Sequence, residues 1–262
     1  MKKRDLTIGT ALLLLGGFVT WEAASARAGS PATSPAASFG SAVMSDDDSV
    51  LAGPSVRRLL RAAPRREAPD LPDRVLEIRR RLELSSHDTY IGDVIAAHDS
   101  ALARWPDRSA NPLRVWVQTT STHRGFTDRV VPIVRRAFAE WSAVGLPVPF
   151  TFVVDSASAD VRVTWVDQFS EPISGKTLWA HDDGWWIVDA DIQLAVRHHT
   201  GEVLDSGSVR AIAMHEVGHL LGLDHTTDTT SIMAPKVRVR DLSPSDRATA
   251  QLLYRLPAGR VR

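Results

Sequence analysis

The stretch His215-Glu216-Val217-Gly218-His219-Leu220-Leu221-Gly222-Leu223-Asp224-His225 constrains this chain more than any other. Its pattern is H-E-x-x-H-x-x-G-x-x-H. On a helix, residues four apart share one face, one turn above the other. His215 and His219 can therefore aim two imidazoles at one metal ion. Gly222 lets the backbone leave the helix through a left-handed conformation that other residues avoid, and this turn returns His225 as a third nitrogen ligand. Three protein ligands leave the fourth tetrahedral position of a zinc ion open for water, as catalytic zinc needs and structural zinc does not. Glu216, beside the first ligand, can take a proton from that water.

A second element follows at Ser231-Ile232-Met233-Ala234-Pro235. The long motif and then a Met-bearing turn resemble the metzincin proteases, and among them the matrixins. The stretch HEVGHLLGLDHTTDTTSIMAP resembles the matrixin active site through its Met-turn. VVPIVRRAFAEWSAVG resembles the first helix of that family, ADVRVTWV the strand after it, and DLSPSDRATAQLLY the last helix. The resemblance spans about residues 110–256. Astacins and serralysins are less similar, since they carry Tyr two residues after the Met, where this chain has Pro235.

The resemblance implies an α+β, metzincin-like catalytic domain over residues 110–258, with a twisted mixed sheet, a long active-site helix, a Met-turn and a C-terminal helix. It implies a zinc metalloendopeptidase acting on proteins or peptides, with Glu216 as general base and acid. Met233 would form an apolar floor under the histidines. Pro235, Lys236 and Val237 would wall the pocket for the residue after the scissile bond. Residues 176–180 would be the edge to which substrate adds as a strand. The alternative is a zinc-containing binding or adhesion module without turnover, which would have no chemical need for a carboxylate at Glu216.

Composition narrows the partners. The chain has 31 basic and 31 acidic residues, so no net charge favours nucleic acid. It contains no cysteine, which excludes disulfides and the thiolate–zinc latency switch of animal matrixins. Lys2, Lys3 and Arg4 precede an apolar run and then Ala26-Arg27-Ala28, the layout of an export signal over residues 1–28. The expectation is a secreted or cell-envelope monomer. It would be membrane-bound only if the signal stays uncleaved as an anchor, and the apolar run is shorter than a spanning helix requires.

Residues 29–73 are rich in Ala, Ser, Pro and Arg and poor in large apolar side chains, as in a disordered linker. Residues 74–105 regain helical periodicity. Val75, Ile78 and Leu82 share one stripe; Ile91, Val94, Ile95, His98, Leu102 and Trp105 share another. Ser85, Ser86 or Asp88 could cap the second helix. Two roles remain open, an inhibitory prosegment over the cleft and a permanently docked extension. His87 and His98 read as ordinary polar helix residues.

Further along, Leu113–Val117 alternates as a strand. A helix capped by Thr127 buries Val130, Val134, Ala137, Phe138 and Trp141, and Gly145 ends it. Strands follow near residues 148–154 and 160–166. After a turn at Asp183-Gly184, alternation over residues 185–195 places Trp186, Val188, Ala190, Ile192 and Leu194 on one face. The active-site helix starts near Ser208. Ser243, Pro244 and Asp246 open the last helix as cap, first turn and capping-box partner. His181 stands where animal matrixins place one ligand of a second zinc, but partner histidines are missing, so it reads as a loop residue. Asp182, Asp183, Asp189 and Asp191 are candidate calcium ligands. His198 and His199 read as loop residues.

Overall fold

A computed structural model describes residues 76, 77, 80–82, 88–98 and 100–261. The expected signal, the linker and His87 lie outside the described residues.

The segment before the catalytic domain departs from its helical stripe. A short helix, α1 (Ile91–Ala97), starts at Tyr90 with no side-chain cap, so Asp88 does not cap it; Ser85 and Ser86 lie outside the described residues. Ile91 and Val94 are buried, as their spacing predicts. The helix stops at His98, the chain turns at Ser100 with φ 61°, and Ala101–Leu102 becomes a strand, β1. Leu102 and Trp105 are fully buried, but from extended chain and not from a helix. The cause is long-range. β1 pairs antiparallel with β7 (Gly259–Arg260), and the Arg104 backbone bonds on both sides of Trp186: its amide donates to the Trp185 carbonyl at 3.3 Å, and its carbonyl accepts from Ile187 at 2.9 Å. A ladder partner so far away in sequence leaves no mark on local periodicity.

The main sheet has the order β3-β2-β4-β6-β5. Its strands are β2 (Leu113–Val117), β3 (Phe150–Phe152), β4 (Val161–Val166), β5 (Gly175–His181) and β6 (Ile187–Ala195). The three pairings from β3 to β6 are parallel, and β5 joins antiparallel as an edge. Parallel neighbours need a crossover, and the helix α2 (Val130–Ser142) supplies it between β2 and β3. The even alternation expected over residues 185–195 fails at its start. The register shifts between Ala180 and His181, pairing Ala180 with Asp189 but His181 with Ile187. Val188 drops out of step, and Ile187 and Trp185 take the buried side instead of Val188 and Trp186. An extra residue in one strand reverses the facing of everything beyond it.

The helices carry the remaining core. Val134, Ala137, Phe138 and Trp141 of α2 are buried, and Gly145 beyond its end takes φ 78°. Thr127 is not the cap: the helix begins after Arg129 with no capping side chain, and the Thr127 carbonyl accepts from Val130 at 3.2 Å. The active-site helix α3 (Ser206–Leu220) starts two residues earlier than expected, because the Asp205 side chain accepts from the Ser208 amide at 2.6 Å. Every residue from Ser208 through Leu220 is buried except the half-buried Arg210. The Trp141 indole donates to the Met214 carbonyl at 2.8 Å, fixing α2 against α3. The last helix, α4 (Pro244–Arg255), opens with the expected Ser243–Asp246 capping box. The α+β, metzincin-like architecture expected from the sequence is the one observed.

Candidate metal centre

α3 delivers His215 and His219 on one face. Gly222, at φ 93°, then turns the chain so that His225 comes back to them. The Nε2 atoms of His215 and His219 lie 3.0 Å apart, and those of His215 and His225 lie 3.3 Å apart. His215 Nδ1 faces the Ile232 carbonyl at 2.7 Å, and His219 Nδ1 faces the Leu223 carbonyl at 3.0 Å. A ring nitrogen against a carbonyl must carry the proton, so Nε2 of both rings presents a lone pair. Burial and the neighbouring imidazoles push His215 well below its ordinary value; burial, and then His225, push His219 down to about 4. Burial also lowers His225. Converging unprotonated nitrogens repel one another unless a cation lies between them. Among the described residues this is the one grouping of three or more His, Asp or Glu able to share a metal, with ligand atoms within 4.8 Å of one another. The all-imidazole set suits zinc.

Glu216 is fully buried beside the first ligand. The Thr177 hydroxyl on β5 lies 2.6 Å from Glu216 Oε2 and 3.0 Å from the Glu216 carbonyl. The other carboxyl oxygen, Oε1, has no partner. A buried oxygen without a donor is costly and marks a place for a missing polar group, such as a water held by a metal. Burial pushes this carboxyl up to about 8, against the pull of Thr177. Gly175 makes the approach possible, since a Cβ there would stand 2.3 Å from Glu216 Oε1. Thr177 was expected only as part of the substrate edge over residues 176–180 and Gly175 not at all, because their relation to Glu216 exists only once β5 lies along α3.

Met233 is buried beneath the helix. A Cβ on Gly218 would meet its Sδ at 2.3 Å, so the small residue inside the motif seats the Met-turn. Asp246 holds that turn. Beyond the capping box its carboxylate accepts from the Ser231 hydroxyl, from the Ile232 amide at 3.1 Å and from the Tyr90 hydroxyl at 3.0 Å. The capping box was legible in the sequence; the brace from α4 to the Met-turn and to Tyr90 was not. Of the residues expected to wall a pocket, Pro235 is exposed, Lys236 half-buried and Val237 buried in the core.

Three other expectations change. His98 is not an ordinary polar helix residue: it is 1% exposed, with Nε2 3.2 Å from Asp224 Oδ2. Asp224 Oδ1 accepts from the His225 amide at 2.6 Å. Burial would raise the Asp224 carboxyl, but its bonds to His98 and the nearby imidazoles outweigh that and hold it at about 2. Three of the four acids considered for calcium have partners within the fold. Arg162 bridges Asp191 at 2.7 Å and Asp189 at 2.9 Å, and Asp182 Oδ1 accepts the turn amides of Gly184 and Trp186. His181, the last residue of β5, stacks on Trp185 at 4.3 Å and joins no ligand group. His198 faces the Thr200 hydroxyl within its turn.

Neutral imidazoles converging on one point, with a buried carboxyl next to the first, match the metal-site pattern of the metzincin class. Comparison with known proteins agrees. The Matrixin family matches residues 104–255, and the chain belongs to that family. Metalloendoproteinase 1-MMP of Arabidopsis thaliana is 31% identical over 148 residues, covering 49% of this chain and 38% of the relative. Metalloendoproteinase 5-MMP of the same plant is 26% identical over 212 residues, 73% of this chain and 55% of the relative. Human matrix metalloproteinase-19 is 33% identical over 133 residues, 46% of this chain and 25% of the relative. The chain thus spans between a quarter and about half the length of these relatives.

Proposed function

We propose that the protein is an exported zinc-dependent endopeptidase, with His215, His219 and His225 as ligands and Glu216 as general base and acid. The observation that carries this reading is the unpartnered Oε1 of Glu216, buried next to a histidine whose Nε2 faces two others. Zinc in this site supplies Lewis-acid polarisation of a scissile carbonyl and of the attacking water. Glu216 Oε1 takes the water's proton and later delivers it to the leaving amine. Thr177 holds Oε2, which leaves Oε1 as the carboxyl oxygen without a partner. The peptide substrate adds to the free edge of β5, where backbone groups of residues 176–180 are available for a ladder. Pro235 and Lys236 border the pocket beyond the scissile bond; Met233 supports the ligands from below. Export rests on the basic–apolar–small pattern of residues 1–28.

The test compares wild-type protein and Glu216→Ala on a broad peptide library, with zinc content measured in both. Cleavage by the wild type, and its loss in a variant that keeps one zinc, are the expected results. A zinc-loaded wild type that cleaves nothing would move the protein to the class of zinc-containing binding modules.

A further inference from the structure

Residues Tyr90 to Trp105 lie far ahead of the metal motif in sequence, yet they meet it in several places. The Trp105 indole donates to the Leu220 carbonyl at 2.9 Å, occupying an acceptor at the C-terminal end of α3. The Ala103 carbonyl fills the space beside Gly222, 2.1 Å from where a Cβ would stand. His98 reaches Asp224, and Asp224 in turn holds the amide of His225. Tyr90 donates to the carboxylate that braces the Met-turn.

We propose that His98 is a positioning residue for the metal centre, acting through Asp224 on the third ligand, and that the arm from Tyr90 to Trp105 is a permanent brace of the site, not a removable cover. The inference rests on the zinc reading above. Its core is a relay of two bonds: His98 Nε2 to Asp224 Oδ2 at 3.2 Å, and the His225 amide to Asp224 Oδ1 at 2.6 Å. Both side chains of the pair are at most 7% exposed. The second oxygen of one carboxylate therefore sets the backbone of a ligand while the first is pinned by a residue from another part of the chain. The His98 ring is held on its other side by Trp179 of β5, edge-on at 5.5 Å, and its Nδ1 has no partner. A buried ring with one idle nitrogen is placed by the bond its other nitrogen makes. Removing it leaves Oδ2 of the buried Asp224 carboxylate without a partner, an unfavourable state. Asp224 then turns toward water and takes the His225 amide with it. Partners that orient a ligand from behind typically matter 10–100-fold for metal affinity.

The experiment measures zinc affinity of the full-length chain by chelator competition, with melting of the zinc-free protein recorded beside it. His98→Ala should bind zinc about 10–100-fold more weakly. His98→Gln, whose amide nitrogen replaces Nε2, should recover most of the loss, and His98→Asn, which is shorter, should not. In an Asp224→Asn background, His98→Ala should add little, since both act through one contact. Folded His98 variants that all bind zinc like the wild type would overturn the proposal, as would additive effects of the two substitutions. If His98→Ala fails to fold, the Gln and Asn variants decide: equal zinc affinity in both refutes the relay. A wild-type chain that binds no zinc would refute the proposed function instead.

Discussion

The metal motif and the arm before it are built by opposite rules. In residues 215–225 the backbone that carries each ligand is set by near neighbours: one helical face, one left-handed glycine, one turn. In residues 90–105 the contacts that tie the segment to the fold are long-range: Tyr90 to Asp246, His98 to Asp224, Trp105 to Leu220, and β1 to β7. The first region carries its chemistry in its spacing. The second has an apolar stripe that is real, since Ile91, Val94, Leu102 and Trp105 are all buried, but only its first turns are helical. Burial is therefore readable from composition where conformation is not, because an extended segment in a core buries the same residue types as a helix.

The largest expected effect lies in the first region. Glu216→Ala should reduce peptide hydrolysis by about 10²–10⁴-fold while zinc stays bound. A variant that keeps near-normal turnover would break the assignment of the base. In the arm, Trp105→Ala should destabilise the protein by about 3–5 kcal/mol in denaturant unfolding, as for a large core aromatic. A loss below about 1 kcal/mol, within the range of surface substitutions, would make the arm peripheral and erase the contrast. Tyr90→Phe removes one donor from the buried Asp246 and should cost about 1–3 kcal/mol. If stability is unchanged, the arm does not brace the Met-turn.

Smaller effects come from local support at the helices α3 and α2. Asp205→Ala should cost about 1 kcal/mol through loss of the N-cap. Hydrogen bonds from Ser208 lower the Asp205 carboxyl below its ordinary value in the fold. Its contribution is then present above about pH 4 and fades as pH falls through the lowered value. The stability gap between wild type and variant should close under acid, and a gap that widens would contradict the cap. Arg136→Ala removes an exposed pair with Glu140 one turn away and should change unfolding by less than about 0.5 kcal/mol.

The parts of the site legible in the sequence are those with local causes. Ser243 and Asp246 announce a capping box because its two bonds span three residues. Gly222 announces a turn because its own φ demands it, although its second reason, the Ala103 carbonyl, is invisible from nearby residues. The bond of Thr177 to Glu216 went unseen because a Thr on a strand is ordinary until it faces a carboxyl from another element. Val188 misled because a bulge depends on how two strands meet, and the alternation of one strand cannot report it.

The sequence by itself determined the donor set of this protein: two imidazoles and a carboxyl on one helix, a third imidazole after a glycine turn, and then a Met-bearing turn. Tertiary structure decided what holds that chemistry in place. It made His98 a partner of Asp224, left Glu216 Oε1 open by engaging Oε2 with Thr177, and used one carboxylate of α4 to tie the Met-turn to the arm. The reason is physical. Ligand placement along one helix and turn is a matter of backbone geometry over a few residues, whereas burial and pairing depend on which distant segments share the space.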